Sequence, residues 1–146
     1  MRGCGEQRRR PRPAVLVAGP VLGALAVGAT ACSAPASETS AAEETAMAAV
    51  RAAAARDTNT LCGLLAASTV SKLEHEESAP CAQAAGSLDL GQPTGGGAAQ
   101  VWGRSALVPI GSTTVFLTDV NGRWRVLAAG CALREQQPAE CVLGGS

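Results

Sequence analysis

Apolar and polar positions change their period midway along the chain, and that change divides it into a helical part and a strand part. Residues Glu43 to Arg56 (EETAMAAVRAAAAR) are rich in Ala, start with Glu and end with Arg, so the segment favours helix by propensity and dipole. Met47, Val50 and Ala54 fall on one face at i, i+3 and i+7. Ser40 with Glu43 has capping-box spacing at its start. Asp57-Thr58-Asn59 reads as a turn and a fresh cap, followed by a helix over Thr60–Leu73 with Leu61, Leu64 and Leu65 on one stripe. Pro80 to Ala85 predicts a short third helix, with Pro80 near its first turn.

After the loop Gly91 to Ala98, apolar residues alternate with polar ones, and the chain predicts strands over Gln100–Ile110, Thr113–Val120 and Arg123–Ala129. Asn121-Gly122 is a strong two-residue hairpin signal, because both residues tolerate positive φ. Gly111-Ser112 is a second candidate turn. The first turn sets Leu117 opposite Val126, Val115 opposite Ala128 and Asp119 opposite Trp124. The second sets Val108 opposite Val115, Ala106 opposite Leu117 and Arg104 opposite Asp119. Together they place Val108, Val115, Ala128, Ala106, Leu117, Val126 and Trp124 on one face. Two turns chosen independently thus give one apolar face, which is good evidence for this register. The expected fold is α+β: N-terminal helices packed on a curved antiparallel meander sheet.

Composition sets how such a fold could hold. Among 146 residues there is one Phe, there are two Trp and there is no Tyr, so the core must be built mainly from Ala, Leu and Val. A domain of about 100 residues with so little bulky apolar volume is marginally stable. Past residue 32, the cysteines are Cys62, Cys81, Cys131 and Cys141, an even set that reads as two disulfides in an oxidising compartment. Three pairings are open. Cys62–Cys81 with Cys131–Cys141 is favoured, because each pair brackets a short segment that can fold back; each would contribute about 3 kcal/mol by chain entropy. The spacings lack a CxxC, and His75 is the only histidine, so a zinc site is disfavoured and no metal or cofactor is expected.

The first residues read as an address. Five Arg lie in residues 1–12, and residues 13–31 carry no charge. Gly28-Ala29-Thr30-Ala31 then lead into Cys32. This is the order of a secretory signal over residues 1–31. The small residues before Cys32 resemble the lipobox of bacterial lipoproteins, in which that cysteine is acylated; Ala29 stands where the pattern usually has Leu. Secretion with an unlipidated Cys32, and an uncleaved spanning anchor, are the alternatives. Arg8-Arg9-Arg10 raises twin-arginine export, but Pro11-Arg12-Pro13 fits it poorly, leaving Sec export as the default. Residues 32–42 would be the lipidated cysteine and a flexible tether, spanning about 17 Å as a coil, with the domain over 43–146. From Cys32 onward, seven basic residues face eleven acidic ones. That balance opposes nucleic-acid binding, which needs a basic footprint.

The segments RDTNTLCGLLA, PCAQA, VWGRSALV, TVFLTDVNGRWRV and AAGC resemble small lipoproteins of high-GC Gram-positive bacteria. More loosely, the element order is similar to the nuclear-transport-factor-two-like (SnoaL-like, cystatin-like) cone fold. That resemblance implies a curved sheet wrapped on helices, a possible pocket between them, and either enzymatic, binding or structural roles. Arg104, Asp119 and Trp124 are the candidate pocket mouth, where a guanidinium beside an indole could hold an anionic or flat ligand; the bland reading is a cross-strand ion pair beside a core indole. His75, in Glu74-His75-Glu76-Glu77, reads as a solvated charge cluster rather than a general base. Ser68, Ser71 and Ser105 lack a nucleophile-elbow context, and Gly95-Gly96-Gly97 precedes strand, so it is no phosphate loop. No catalytic residues are assigned. The expectation is a membrane-anchored, non-enzymatic lipoprotein on the extracytoplasmic face, binding an envelope protein or small ligand. A cone-fold enzyme and a purely structural module are the alternatives.

Overall fold

A computed structural model describes residues 35–144. The signal segment, Cys4, Cys32 and the first residues of the expected tether lie outside the described residues. The element order is α1 (Ala36–Ala54), α2 (Thr58–Leu64), α3 (Ala67–Glu77), α4 (Cys81–Ala84), a 3-10 turn (Ala85–Ser87), β1 (Gln100–Trp102), β2 (Ser105–Ile110), β3 (Thr113–Val120) and β4 (Arg123–Cys131). The strands form one antiparallel meander in the order β1-β2-β3-β4. Helices precede sheet, as the change of period requires.

Helix α1 begins at Ala36 rather than Glu43, so residues 36–42 are helical and not a coil. The hydroxyls of Thr39 and Ser40 both donate to the carbonyl of Ala36, a back-bond that lets such residues sit inside a helix. The expected capping box is absent. Glu43 instead reaches across to accept the backbone N–H of Ala99 at 2.8 Å. Ala42, Ala46, Ala49, Val50 and Ala53 form the buried stripe of α1. These small side chains let α1 lie close over all four strands, and this is how a core poor in aromatics closes.

The helix expected over 60–73 is interrupted. Leu65 and Ala66 are extended, and the N–H of Ala66 donates to the carbonyl of Val126 at 2.8 Å. The Thr69 hydroxyl bonds the Leu127 carbonyl at 2.9 Å. An exposed sheet edge is a row of unpaired backbone groups, and here the chain between α2 and α3 covers one half of the outer edge of β4. The C-terminal segment covers the other half, with Ala129 exchanging two bonds with Leu143 and Ala132 two with Glu140. Leu143, which the alternation does not single out, becomes a core residue.

Of the two hairpin signals, Asn121 and Gly122 both adopt positive φ, +55° and +76°, as a primed turn demands. The pairs Leu117–Val126, Asp119–Trp124, Val108–Val115 and Ala106–Leu117 stand as the two turns dictate. The segment 100–110 is not one strand, however: it reverses at Gly103-Arg104, where Gly103 has φ +59°, and makes the β1–β2 hairpin. Val115 does not pair with Ala128. Irregularities in the β3–β4 ladder set Phe116 opposite Ala128 and Thr114 opposite Cys131, and Ala128 and Ala129 are consecutive buried residues as a result. The seven residues assigned to the apolar face are nevertheless all buried.

Both favoured disulfides are present. Cys62–Cys81 ties α2 to the start of α4, and Cys131–Cys141 ties the end of β4 to the C-terminal segment.

Candidate functional site

The residues expected at a pocket mouth come from three places: Arg104 from the β1–β2 turn, Asp119 from β3 and Trp124 from β4. Arg104 and Asp119 do meet, but through the main chain. The Arg104 guanidinium donates from Nε and Nη2 to the Asp119 carbonyl at 3.2 and 2.7 Å, and the Asp119 N–H donates to the Arg104 carbonyl at 2.8 Å. This is a tied turn rather than a carboxylate ion pair. The carboxylate of Asp119 shares the inner face with Trp124, and its Oδ1 is enclosed without a hydrogen-bond partner among the described residues. Trp124 is buried in the core, so the indole packs instead of framing an opening. The expected guanidinium–indole site is therefore split: Arg104 is at the exposed tip and Trp124 is under the sheet.

The concave surfaces lie elsewhere. A groove of about 460 Å³ runs along α1, floored by Met47, Val108 and Ile110, with Gly96 and Gly97 on one side and Glu44 and Arg51 on the rim. The glycine run makes this groove. A Cβ on Gly97 would lie 3.2 Å from the ring of Pro109, and one on Gly96 would lie 3.5 Å from the Met47 methyl. The Gly95–Gly97 segment also protects the β2 edge, with Gly97 N–H bonding the Pro109 carbonyl at 2.8 Å. In the sequence, only a helix face and a glycine loop are visible. Nothing local says that they meet, so this groove escapes a reading by periodicity. A second groove of about 490 Å³ lies on the outer face, where Arg125, Thr118 and Val120 meet the Leu65–Ser68 segment. Arg125 crosses it and bonds the carbonyl of Gly63.

The acidic cluster at the end of α3 does not converge. His75 is exposed, and Glu74 turns away to accept the N–H of Cys81 at 2.9 Å, which seats the start of α4. Glu76 pairs with Lys72 at 3.8 Å on the same helix. Among the described residues no group of three His, Cys, Asp or Glu side chains is placed to hold a metal ion. Ser68 and Ser71 are exposed on α3, and Ser105 is half-buried at the start of β2. No family model matches the chain, nor does any curated protein or any solved structure.

Proposed function

We propose that this chain is a cell-envelope lipoprotein, held on the extracytoplasmic face of the membrane through Cys32, whose domain is a non-enzymatic binding module. The observation that carries this reading is the pair of disulfides at the two ends of a core built mostly of Ala, Val and Leu, with Ile110 and Trp124 beside them. Such staples are kept in an oxidising compartment, the destination that the N-terminal address also implies. With α1 starting at Ala36, two residues, Ser33 and Ala34, separate Cys32 from Pro35, so three Cα-to-Cα steps join them. Fully extended, they reach about 10–11 Å. The domain would be held close against the bilayer and would not swing on a coil.

The binding role rests on the groove along α1. Its floor is apolar, and Glu44 and Arg51 stand seven residues apart on one helix face, at its rim. This chemistry suits a small amphipathic molecule with an apolar body, a cationic group toward Glu44 and an anionic group toward Arg51. The test has two arms. Under a high-salt wash, Cys32→Ala should leave the membrane fraction while the parent chain stays, and equal retention of the two would defeat the anchor. A photo-crosslinking residue at Ala48 should capture a small molecule in intact cells, and Met47→Glu should abolish that capture. Turnover of a metabolite in vitro, lost on Asp119→Ala, would replace the binding reading with an enzymatic one.

A further inference from the structure

In a four-strand meander the first and third turns lie at one end of the sheet and the second at the other. The β1–β2 and β3–β4 turns, Gly103-Arg104 and Asn121-Gly122, therefore share an end. That end carries Trp102, 52 % exposed, and Val120, 41 % exposed, each at the last strand position before its turn. It also carries Arg104, Arg123 and Arg125, three of the seven basic residues that follow Cys32. None of the three is in an ion pair with a carboxylate among the described residues; Arg104 and Arg125 bond main-chain carbonyls instead. Of the eleven acids, Asp119 is at this end with one carboxylate oxygen enclosed, and Glu38 is on the first turn of α1.

The direction of α1 shows where the chain enters. Glu43 is bonded to Ala99. Met47 lies against Gly96, and Ala53 and Arg56 lie beside Leu88 and Gly91. Gly91 in turn abuts Thr113, at the β2–β3 turn. From its N-terminus to its C-terminus, α1 therefore runs toward the β2–β3 end. Its first turns, which Cys32 precedes by a few residues, point to the end that carries Trp102 and the arginines.

We infer that this end of the sheet is a membrane-seating surface, with Trp102 and Val120 entering the interfacial layer of a bilayer and Arg104, Arg123 and Arg125 meeting anionic lipid headgroups. An exposed indole beside guanidinium groups is the combination that suits the boundary between acyl chains and headgroups. The chain's point of entry and the charge of the surface identify the occupant as an anionic lipid face. The inference rests on the anchored reading for the presence of a membrane, but the contact itself does not need the lipid on Cys32.

The experiment uses the full exported chain and its Cys32→Ala form with vesicles of equal phosphatidylglycerol and phosphatidylcholine, against pure phosphatidylcholine. Brominated acyl chains in the anionic vesicles should quench tryptophan emission from the full chain, and Trp102→Phe should remove that quenching, because Trp124 is buried. The Cys32→Ala form should partition to the anionic vesicles alone. Each of Arg104→Gln and Arg123→Gln should lower that partition about fivefold. Absence of lipid-dependent quenching in a membrane-attached chain, or equal partition of the Cys32→Ala form to both vesicles, would overturn the inference. If Cys32→Ala resists a high-salt wash of cell membranes as fully as the parent chain while Trp102 is quenched, the anchor fails and the seating surface stands.

Discussion

Strands β2, β3 and β4 are each bonded along a neighbour, with the apolar face of all three against α1. Helices α2, α3 and α4 have 7, 11 and 4 residues. Helices this short are marginal alone, since a nucleus must be ordered before propagation offsets it. They take their order from outside: Leu61 and Leu73 reach the core, Ala66 and Thr69 bond β4, and Cys62–Cys81 closes α2 onto α4. The C-terminal segment also has a staple, but five backbone bonds already join residues 140–143 to residues 129–132. Similar covalent links thus do different work: one makes a helical layer possible, and the other locks an edge segment that is already paired.

Trp124→Ala gives the largest expected loss, because Trp124 is the one aromatic of the core cluster. Deleting a buried indole costs about 3–5 kcal/mol. Urea unfolding should show it as one cooperative transition at a lower midpoint. Two transitions would mean that the helical layer and the sheet unfold separately. Next comes the double replacement Cys62→Ala with Cys81→Ala. Chain entropy assigns it about 3 kcal/mol, and far-UV circular dichroism should lose helix before the sheet unfolds. Unchanged helix content in that variant would refute the dependence of α2–α4 on the staple.

The edge segment yields smaller effects. Gly144 has φ +79°, and a Cβ there would sit 2.2 Å from the Leu127 carbonyl oxygen. Gly144→Ala should expel the segment and unbury Leu143, costing about 2 kcal/mol. The double replacement Cys131→Ala with Cys141→Ala should cost less, about 1 kcal/mol, because the freed segment frays locally. Limited proteolysis should cut it near Gln136, while the meander stays intact. A loss equal to that of the Cys62–Cys81 variant would abolish the distinction between the two staples.

Much of the sheet was legible because its signals are local. Asn121-Gly122 and Gly111-Ser112 fix two turns, and period-2 alternation places Val108, Leu117, Val126 and Trp124 on one face. The irregular register beyond Leu117 was not legible, since Ala128 and Ala129 carry equal side chains and nothing marks which of them faces inward. The break at Leu65-Ala66 was hidden for another reason. Leu61, Leu64 and Leu65 have sound helical spacing, and only the distant backbone of Val126, which receives the Ala66 N–H, favours an extended pair there. At α1, Ser37, Thr39 and Ser40 suggest coil by type, but their neighbours are good helix formers and Ala42 is fully buried. Of the expected pocket mouth, the adjacency of Arg104 and Asp119 was legible from the turns. The bonding atoms were not, because a register specifies which residues are neighbours but not whether a guanidinium reaches a carboxylate or a carbonyl.

The smallest effect concerns the junction between α1 and α2. Asp57 caps α2, accepting from the Thr60 side chain and from the Thr60 N–H at 3.1 Å, and these two bonds hold its carboxyl below the ordinary value of 3.8. A carboxyl lowered in this way binds a proton more readily in the unfolded chain, so its contribution is complete above the ordinary value and is lost as pH falls through the folded one. Asp57→Asn keeps an oxygen acceptor but removes the titration. The parent chain should therefore be the more stable at pH 6 and should lose that margin below pH 3.8, converging on the variant. If the gap in urea midpoint stays constant across that range, the capping charge contributes nothing to the helical layer, which is then held by the disulfide, the contacts to β4 and the core packing of Leu61 and Leu73.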